Sequence, residues 1–534
     1  MSTPGNVPSG AEPDSGGVVP AVGALQNAAM RGTWWTAVQG AVVLPLSFIV
    51  NILVARTLGP HGYGTLATYM AAYGLMVTVL NAGISDATIQ WGASAFARGD
   101  RALLVSLARR CAGFHILVEA PLAALAALIL LHGQSASTQA VGAAAVGLTM
   151  VAGTTLVVLT AVSQTAPLAK LNLVVGIATQ LAVVTAAVRS HSAGPTWVAR
   201  LAVAAAIPLA AWALAPKDIR IATLKPLMPW HWPTGFVRFS SQTLVAGLAG
   251  SLVFSRCEIF ILDAYGMAAG AGLYALAAGL AVQITSPVDA MLGPLTPAAA
   301  SLVAANRDRV PGAILRGIRL SGLATAPIVT LALPTIAILS PIIYGHKFEK
   351  TGDLFVSLGV ISCLQSVLHP MTAFLTAWRR PLLLLAVSGA ALGVDLGLTV
   401  ALVPSWGPTA AVVGNTAGQI ISLAVSVTLL RRFVNLSAHA VWQALRPFCW
   451  SAVAGAAVTV GGLVAYRAGL NAWLSASTAL VAGTLTAAGL IHWSGGAVND
   501  EDLGAVRASF PRMSGPLIGC IRRLGLIARS TAVA

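Results

Sequence analysis

Charged side chains are scarce in this chain, at 9% of 534 residues against 57% hydrophobic, so the few that interrupt apolar runs carry the chemical argument. Glu119, Asp289 and Asp395 each stand inside an apolar stretch, and Asp86 stands close to the end of another. An ionisable group at membrane depth costs at least a few kcal/mol unless it is paired or faces water. Acids in such positions are candidates for binding Na+ or a proton and so coupling a movement to a gradient. His115 lies one helical turn before Glu119 on the same face, which gives a His–Glu pair able to relay protons. The plainer reading of each acid is a polar contact between helices, and His369 reads as a histidine satisfied locally. Arg256 falls within another apolar run, with Glu258 and Asp263 nearby. A guanidinium in a cleft would hold a phosphate by charge-assisted, bidentate hydrogen bonds, with Glu258 as its partner when the cleft is empty. The competing reading is a structural ion pair with an acid on a neighbouring helix. Arg56 sits where the first run meets a surface, either gripping an anionic headgroup or snorkelling to water.

The elements that position these groups follow from composition. Soluble domains carry roughly a quarter charged residues, so a chain with 9% cannot cover itself with a solvated surface. Its natural solvent is a bilayer, crossed by helices of about 20 apolar residues. Fourteen runs of that length centre on 34–55, 65–86, 111–131, 139–161, 168–188, 197–215, 240–262, 272–293, 320–344, 354–376, 382–403, 409–430, 448–466 and 473–492. The formal charge of +15 reflects orientation rather than nucleic acid, since no basic patch is interleaved with aromatics. With the N-terminus inside, 24 of the 31 Lys and Arg fall on cytoplasmic segments and seven on outer ones, Arg56, Arg200 and Arg256 among the seven. Five scattered cysteines indicate neither a metal site nor a disulfide framework. The first thirty residues lack the features of a signal peptide and read as a cytoplasmic tail. The stretch 516–529 near the far end reads as an amphipathic helix on the inner leaflet. The Gly pairs 389/393 and 414/418 read as points of close helix approach.

The chain also resembles itself at an offset of about 208 residues. Ala97-Arg98-Gly99-Asp100-Arg101 recurs as Ala305-Asn306-Arg307-Asp308-Arg309; Gly59 and Gly64 match Gly266 and Gly272; Asn81 matches Asp289. Six spans separate the copies, an even number, so both run in the same direction. The expected fold is therefore all-α and integral to the membrane, with fourteen transmembrane helices. They form two pseudo-symmetric six-helix bundles, related by an axis along the membrane normal, plus two C-terminal helices. The implied division is a disordered tail 1–32, a first bundle 33–216, a cytoplasmic linker 217–237, a second bundle 238–432, helices thirteen and fourteen over 433–493, and a basic cytoplasmic tail 494–534. Two like bundles enclose a cleft, and rocking one against the other gives alternating access.

Phe48-Ile49-Val50-Asn51-Ile52-Leu53-Val54-Ala55-Arg56-Thr57-Leu58-Gly59-Pro60, followed by Gly62-Tyr63-Gly64, resembles the opening signature of bacterial polysaccharide flippases. Arg256-Cys257-Glu258-Ile259-Phe260-Ile261-Leu262 with Gly272-Leu273-Tyr274-Ala275 looks like the matching block of spans seven and eight, and Ile343-Tyr344-Gly345-His346-Lys347-Phe348 like a third. The likeness covers roughly residues 30–430. It implies the multidrug/oligosaccharidyl-lipid/polysaccharide exporter superfamily, and within it a carrier of undecaprenyl-diphosphate-linked oligosaccharide in the bacterial cytoplasmic membrane. The family often has Asp where this chain has Asn81 and Glu258, and the Asp-Ala-Phe block of the lipid II flippase branch is absent. The resemblance implies no cofactor and no nucleic acid. The expected partners are the lipid-linked substrate, membrane lipids, a coupling Na+ or H+ and glycan-assembly proteins. A multidrug or small-molecule antiporter on the same fold stands as the alternative, and its cleft would be apolar or acidic. A membrane polymerase or ligase would need a long polar outer loop, and none is present. The topology is testable directly. Single cysteines at Ser2, Gly99 and Ser514, in a cysteine-free background, should stay unlabelled by an impermeant thiol reagent on intact cells. Labelling at any of the three overturns the fourteen-span arrangement.

Overall fold

The computed structural model describes residues 22–493, apart from 163, 254–256, 293–294, 296–298, 300–301, 304–306, 378–380 and 435. The terminal stretches 1–21 and 494–534, with the amphipathic segment expected at 516–529, lie outside the described residues. The described residues are helical throughout, with no strand. Eleven of the helical stretches are long and apolar enough to cross a membrane. The first, Val38–Asn81, has 44 residues; at 1.5 Å per residue it would be twice too long for a hydrocarbon core of about 30 Å. It belongs to α1 (Val22–Asn81), which breaks at Gly59 (φ 67°, ψ 176°), a backbone conformation that favours glycine. Tyr63 donates to Asn51 Oδ1 at 2.7 Å, a bond that twelve residues of straight helix would put out of reach. α1 is thus two legs folded back on each other. It also begins at Val22, inside the stretch expected to be a tail.

The second copy repeats this turn. α11 (Cys257–Ala264) and α12 (Ala268–Leu292) meet at Gly266 (φ 72°), the equivalent of Gly59. The two turns lie together. A Cβ built on Gly64 would fall onto the Ala268 carbonyl oxygen and 2.9 Å from Gly272 N; one built on Gly272 would fall onto the Pro60 carbonyl oxygen and 2.9 Å from Gly64 N. Pro60 and Ala268 are themselves 208 residues apart. The contact is therefore self-complementary, as across a two-fold axis. Each glycine also meets its equivalent and the residue one turn before it. That register belongs to parallel helices, whereas an antiparallel pair would match 60 with the equivalent of 68. The two copies run in the same direction about an axis along the helices.

Both third helices are widened, the second five residues further along by the 208-residue offset. α3 (Arg101–Phe114) continues through a π-turn (His115–Glu119) into α4 (Ala120–Leu130), where Ala120 N reaches back five residues to the His115 carbonyl. Val310–Pro327 continues likewise through Ile328–Ala332 into Leu333–Tyr344, with Leu333 N bonded to the Ile328 carbonyl. Pro121 and Pro334 each stand two residues past the π-turn. Neither can donate to the carbonyl four residues back, and each ring crowds that carbonyl, which opens the turn. The expected loop Arg98–Arg110 is mostly helix: α3 starts at Arg101, capped by Asp100, whose carboxylate accepts from Leu103 N at 2.9 Å. Its polar first turns lack the apolar signal by which the span was recognised.

The stretch joining the copies lies against the start of this helix. Leu227 N donates to the Arg109 carbonyl (2.9 Å), Arg109 Nε to the Lys225 carbonyl (2.8 Å), and Arg110 to the His231 carbonyl. At the other end of the chain, Ala438–Arg467 and Ala472–Trp493 pack Leu463, Ala476 and Ala479 on Ile338 and Leu339 of the second copy. They are an addition outside the repeat. Exposed apolar side chains such as Ile129, Val174, Leu181, Val464 and Leu485 coat the periphery, the pattern of a protein dissolved in lipid. Gly414 and Gly418 press on the backbone of Asp395 and Ala391 as expected, whereas Gly389 and Gly393 meet nothing within 4 Å. Gly64→Ala or Gly272→Ala should each lower stability by about 1–3 kcal/mol through overpacking. Gly461→Ala, which meets open space, should be neutral. Thermal unfolding of the purified variants in detergent checks both.

Candidate functional site

Polar groups collect in three places. The first is a cavity of about 510 Å³ between the copies. Both legs of α1, α6 (Thr165–Ser190) and α7 (Ala193–Ala204) line one side, and α11 and α12 the other. Its polar lining is Ser47, Asn51, Tyr63, Gln180, Arg200 and Gln283; no Asp, Glu or Lys is among the lining residues. Arg200 is placed by Trp197, one turn earlier on α7, which is buried against Tyr69 and Tyr73 of the second leg at ring separations of 5.4 and 6.0 Å. Its guanidinium has the thioether of Met70 at 3.9 Å and, among the described residues, forms no ion pair. Gln283 donates to Ser47 Oγ at 3.1 Å across the two copies, and its buried Oε1 has no partner. The cavity is cationic, rich in amides and hydroxyls, and free of acid. That is a setting for an anion carrying hydroxyl groups.

The second place is buried in the first copy. His115 Nδ1 lies 2.9 Å from Thr154 Oγ1 of α5 (Ala136–Ala161), and His115 Nε2 lies 3.3 Å from Glu119 Oε2. Asn81 Nδ2 stands 3.5 Å from Glu119 Oε1, and Cys111 Sγ 3.6 Å from His115 Nε2. The π-turn carries both ends of the pair. The third place lies in the second copy, where Glu258 and Asp395 answer to Val50 and Ala187 of the first at the 208-residue offset. Asn415 Nδ2 donates to Glu258 Oε1 at 2.7 Å, and Thr399 Oγ1 to Asp395 Oδ1 at 3.2 Å. The Cys257 thiol lies 3.3 Å from Glu258 Oε2 and 3.6 Å from Asp395 Oδ2. Glu258 and Asp395 are fully buried. Two carboxylates so close cannot both stay charged and empty-handed. They share a proton or hold a small cation, for which their oxygens are hard donors and the thiol of Cys257 a soft one.

The sequence-derived candidates therefore scatter. Glu258 joins Asp395 rather than facing the cavity, and His115 joins Glu119. Arg56 donates to the carbonyls of Ile342 (2.5 Å) and Ile343 (2.8 Å), capping the helix that ends at Tyr344, and does not line the cavity. Asp289 accepts from Ser366 Oγ at 2.6 Å, and Asp86 is exposed in the first turn of α2 (Ile84–Ala97). Arg256 lies outside the described residues. Arg200, Gln283, Asn415 and Thr154 went unnoticed in the sequence. For Arg200 a signal existed: a charge just inside the sixth apolar run, one turn after a tryptophan.

Comparison with known proteins agrees with this architecture. The lipid II flippase MurJ in an inward closed conformation superposes with a TM-score of 0.55 at 11% identity, over 85% of this chain and 97% of that one. A MATE protein in complex with MaL6 gives 0.53 at 14% identity, over 77% and 96%. An inward-facing multidrug resistance MATE family transporter of the MOP superfamily gives 0.51 at 13%, over 76% and 100%. These likenesses establish the fold, which this chain shares with those three proteins. No curated protein matches the chain. Residues 29–303, the whole first copy and the start of the second, match the family described as polysaccharide biosynthesis protein. With just over half of its length fitting that family, on this fold, the chain belongs to the polysaccharide biosynthesis protein family.

Proposed function

We propose that this protein flips an undecaprenyl-diphosphate-linked oligosaccharide across the bacterial cytoplasmic membrane by alternating access, and catalyses no covalent chemistry. The observation that carries the proposal is the acid-free, cationic cavity between the copies. A lipid-linked oligosaccharide presents a diphosphate and many hydroxyl groups, while its polyprenyl tail stays in lipid. Arg200 offers the diphosphate a planar fork of donors without a carboxylate to displace. Asn51, Gln180 and the unpaired Oε1 of Gln283 offer hydrogen bonds suited to a glycan. A cationic drug would find no counter-charge among the lining residues, which disfavours a multidrug antiporter.

The proposal includes fourteen spans with both termini in the cytoplasm, the division at 33–216, 217–237, 238–432 and 433–493, and Arg256 as a second cation toward the substrate. It also takes the Glu258–Asp395 pair as a site for a coupling cation or proton. The test is the level of lipid-linked oligosaccharide on the inner leaflet of cells expressing each variant at matched membrane levels. Losing a charge-assisted contact costs about 1.5–3 kcal/mol, so Arg200→Ala should slow flipping about tenfold or more. Arg200→Lys should fall between the two. Normal flipping by Arg200→Ala would remove the residue from the substrate path.

A further inference from the structure

The buried cluster of the first copy has no part in binding the cargo, and its geometry is specific. Thr154 Oγ1 of α5 lies 2.9 Å from His115 Nδ1. The neutral imidazole can carry its hydrogen on Nδ1, where the Thr154 hydroxyl accepts it. Nε2 then presents a lone pair to Glu119 Oε2 at 3.3 Å. Lone pair facing lone pair repels, so the contact is favourable only with a hydrogen between the two atoms. One proton fills that gap, whichever atom owns it, and the loaded pair is neutral overall. We infer that His115 and Glu119 bind a single exchangeable proton, and that its loading sets the hinge at Ala82–Gly83 where the two copies touch.

The coupling follows from what surrounds the pair. Its side chains are 3% and 2% exposed. The titratable groups facing it are Cys111 from its own helix and Tyr73 from the second leg of α1; α5 supplies the Thr154 hydroxyl. None of these is a cation. When the proton leaves to water, a bare Glu119 carboxylate remains, and burying it unpaired costs several kcal/mol. It must recruit donors or water. The nearest donor is Asn81, whose Nδ2 donates to Oε1 only at the long distance of 3.5 Å and more closely to Ser85 Oγ at 2.7 Å, while its Oδ1 accepts from Ser85 N at 3.2 Å. Asn81 is thus the clip across the break between α1 and α2. The next two residues are left-handed, Ala82 at φ 51° and Gly83 at φ 71°. The Ala82 carbonyl accepts from Ser240 Oγ of α10 (Phe236–Val253) in the second copy at 2.5 Å, and a Cβ on Gly83 would fall on the Ser240 carbonyl. Carboxylates attract amide donors more strongly than neutral acids do. Deprotonation therefore draws Asn81 toward Glu119, releases Ser85, and shifts the residue that holds the two copies together.

The inference rests on the flippase reading only for what such a movement carries, and its test needs no cargo. Spin labels at exposed Ser94 and Val237, with Cys449 and Cys520 replaced by Ser, report the distance between the copies in the full chain in nanodiscs. We expect a reversible shift in that distance between about pH 5.5 and pH 9, where carboxyl and imidazole groups in buried pairs titrate. Glu119→Gln should hold the acid-form distance at every pH. Asn81→Ala, which leaves the pair intact but cuts its link to the hinge, should lose the shift. If Glu119→Gln fails to fold, Asn81→Ala decides. A wild-type distance indifferent to pH, or a shift that survives in either folded variant, overturns the proposal. Loss of flipping in Arg200→Ala bears on the cargo alone and leaves this result standing.

Discussion

Gly64 and Gly272 bring two helix backbones against each other's carbonyls, at a separation no side chain would permit. Everything between the copies is arranged around that approach. It holds one end of the interface fixed while the helices diverge from it, and the divergence opens the cavity lined by Ser47, Asn51, Gln180, Arg200 and Gln283. Lipid supplies no hydrophobic drive for helices to associate. Close backbone packing, rather than burial of apolar area, has to supply the cohesion. The second contact joins the Ser240–Ala82 hydrogen bond at a helix break to the close approach of Gly83 on the Ser240 carbonyl and to Trp91 packed on Phe236 and Phe239.

The two copies place their buried ionisable groups in different regions and with different chemistry. The first pairs an imidazole with one carboxylate on a widened turn; the second sets two carboxylates and a thiol where α11 meets the helices Pro381–Trp406 and Pro408–Val434. Both are buried and neither lines the cavity. Under the proposed function, separating the cavity from these buried acids lets a change of charge act on packing without competing for the cargo. The only charge in the lining is then positive.

Much of the fold was legible because a bilayer imposes its demand locally: each crossing must be an apolar run, and each run could be read alone. The repeat was legible for the same reason, through Gly59, Gly64 and their equivalents. Boundaries were missed where helices extend past the apolar part, as over Arg101–Arg110. Pro121 and Pro334 announced irregularity, but not that the turn before each would widen. The site was less readable. Arg200 was counted with the outer segments, since its direction depends on how Trp197 seats α7 against Tyr69 and Tyr73. Glu258 and Asp395 are far apart in sequence, and only helix packing, helped by Gly414 and Gly418, brings them together. Nothing in the sequence separates a Gly-x-x-x-Gly pair that packs, 414/418, from one that faces open space, 389/393.

The strand of chain held by Arg109 and Arg110 at the foot of α3 has an evolutionary consequence. A self-complementary parallel contact is what two identical half-length proteins would make as a homodimer, so the fused chain carries a dimer interface made intramolecular. Before fusion, any residue useful in one protomer was forced on the other. The clasped linker removed that bond: it keeps the partners at high effective concentration, so the interface need not be strong, and each half mutates alone. Gene duplication could then give one lobe an imidazole and the other a second carboxylate, a division of labour closed to a symmetric ancestor.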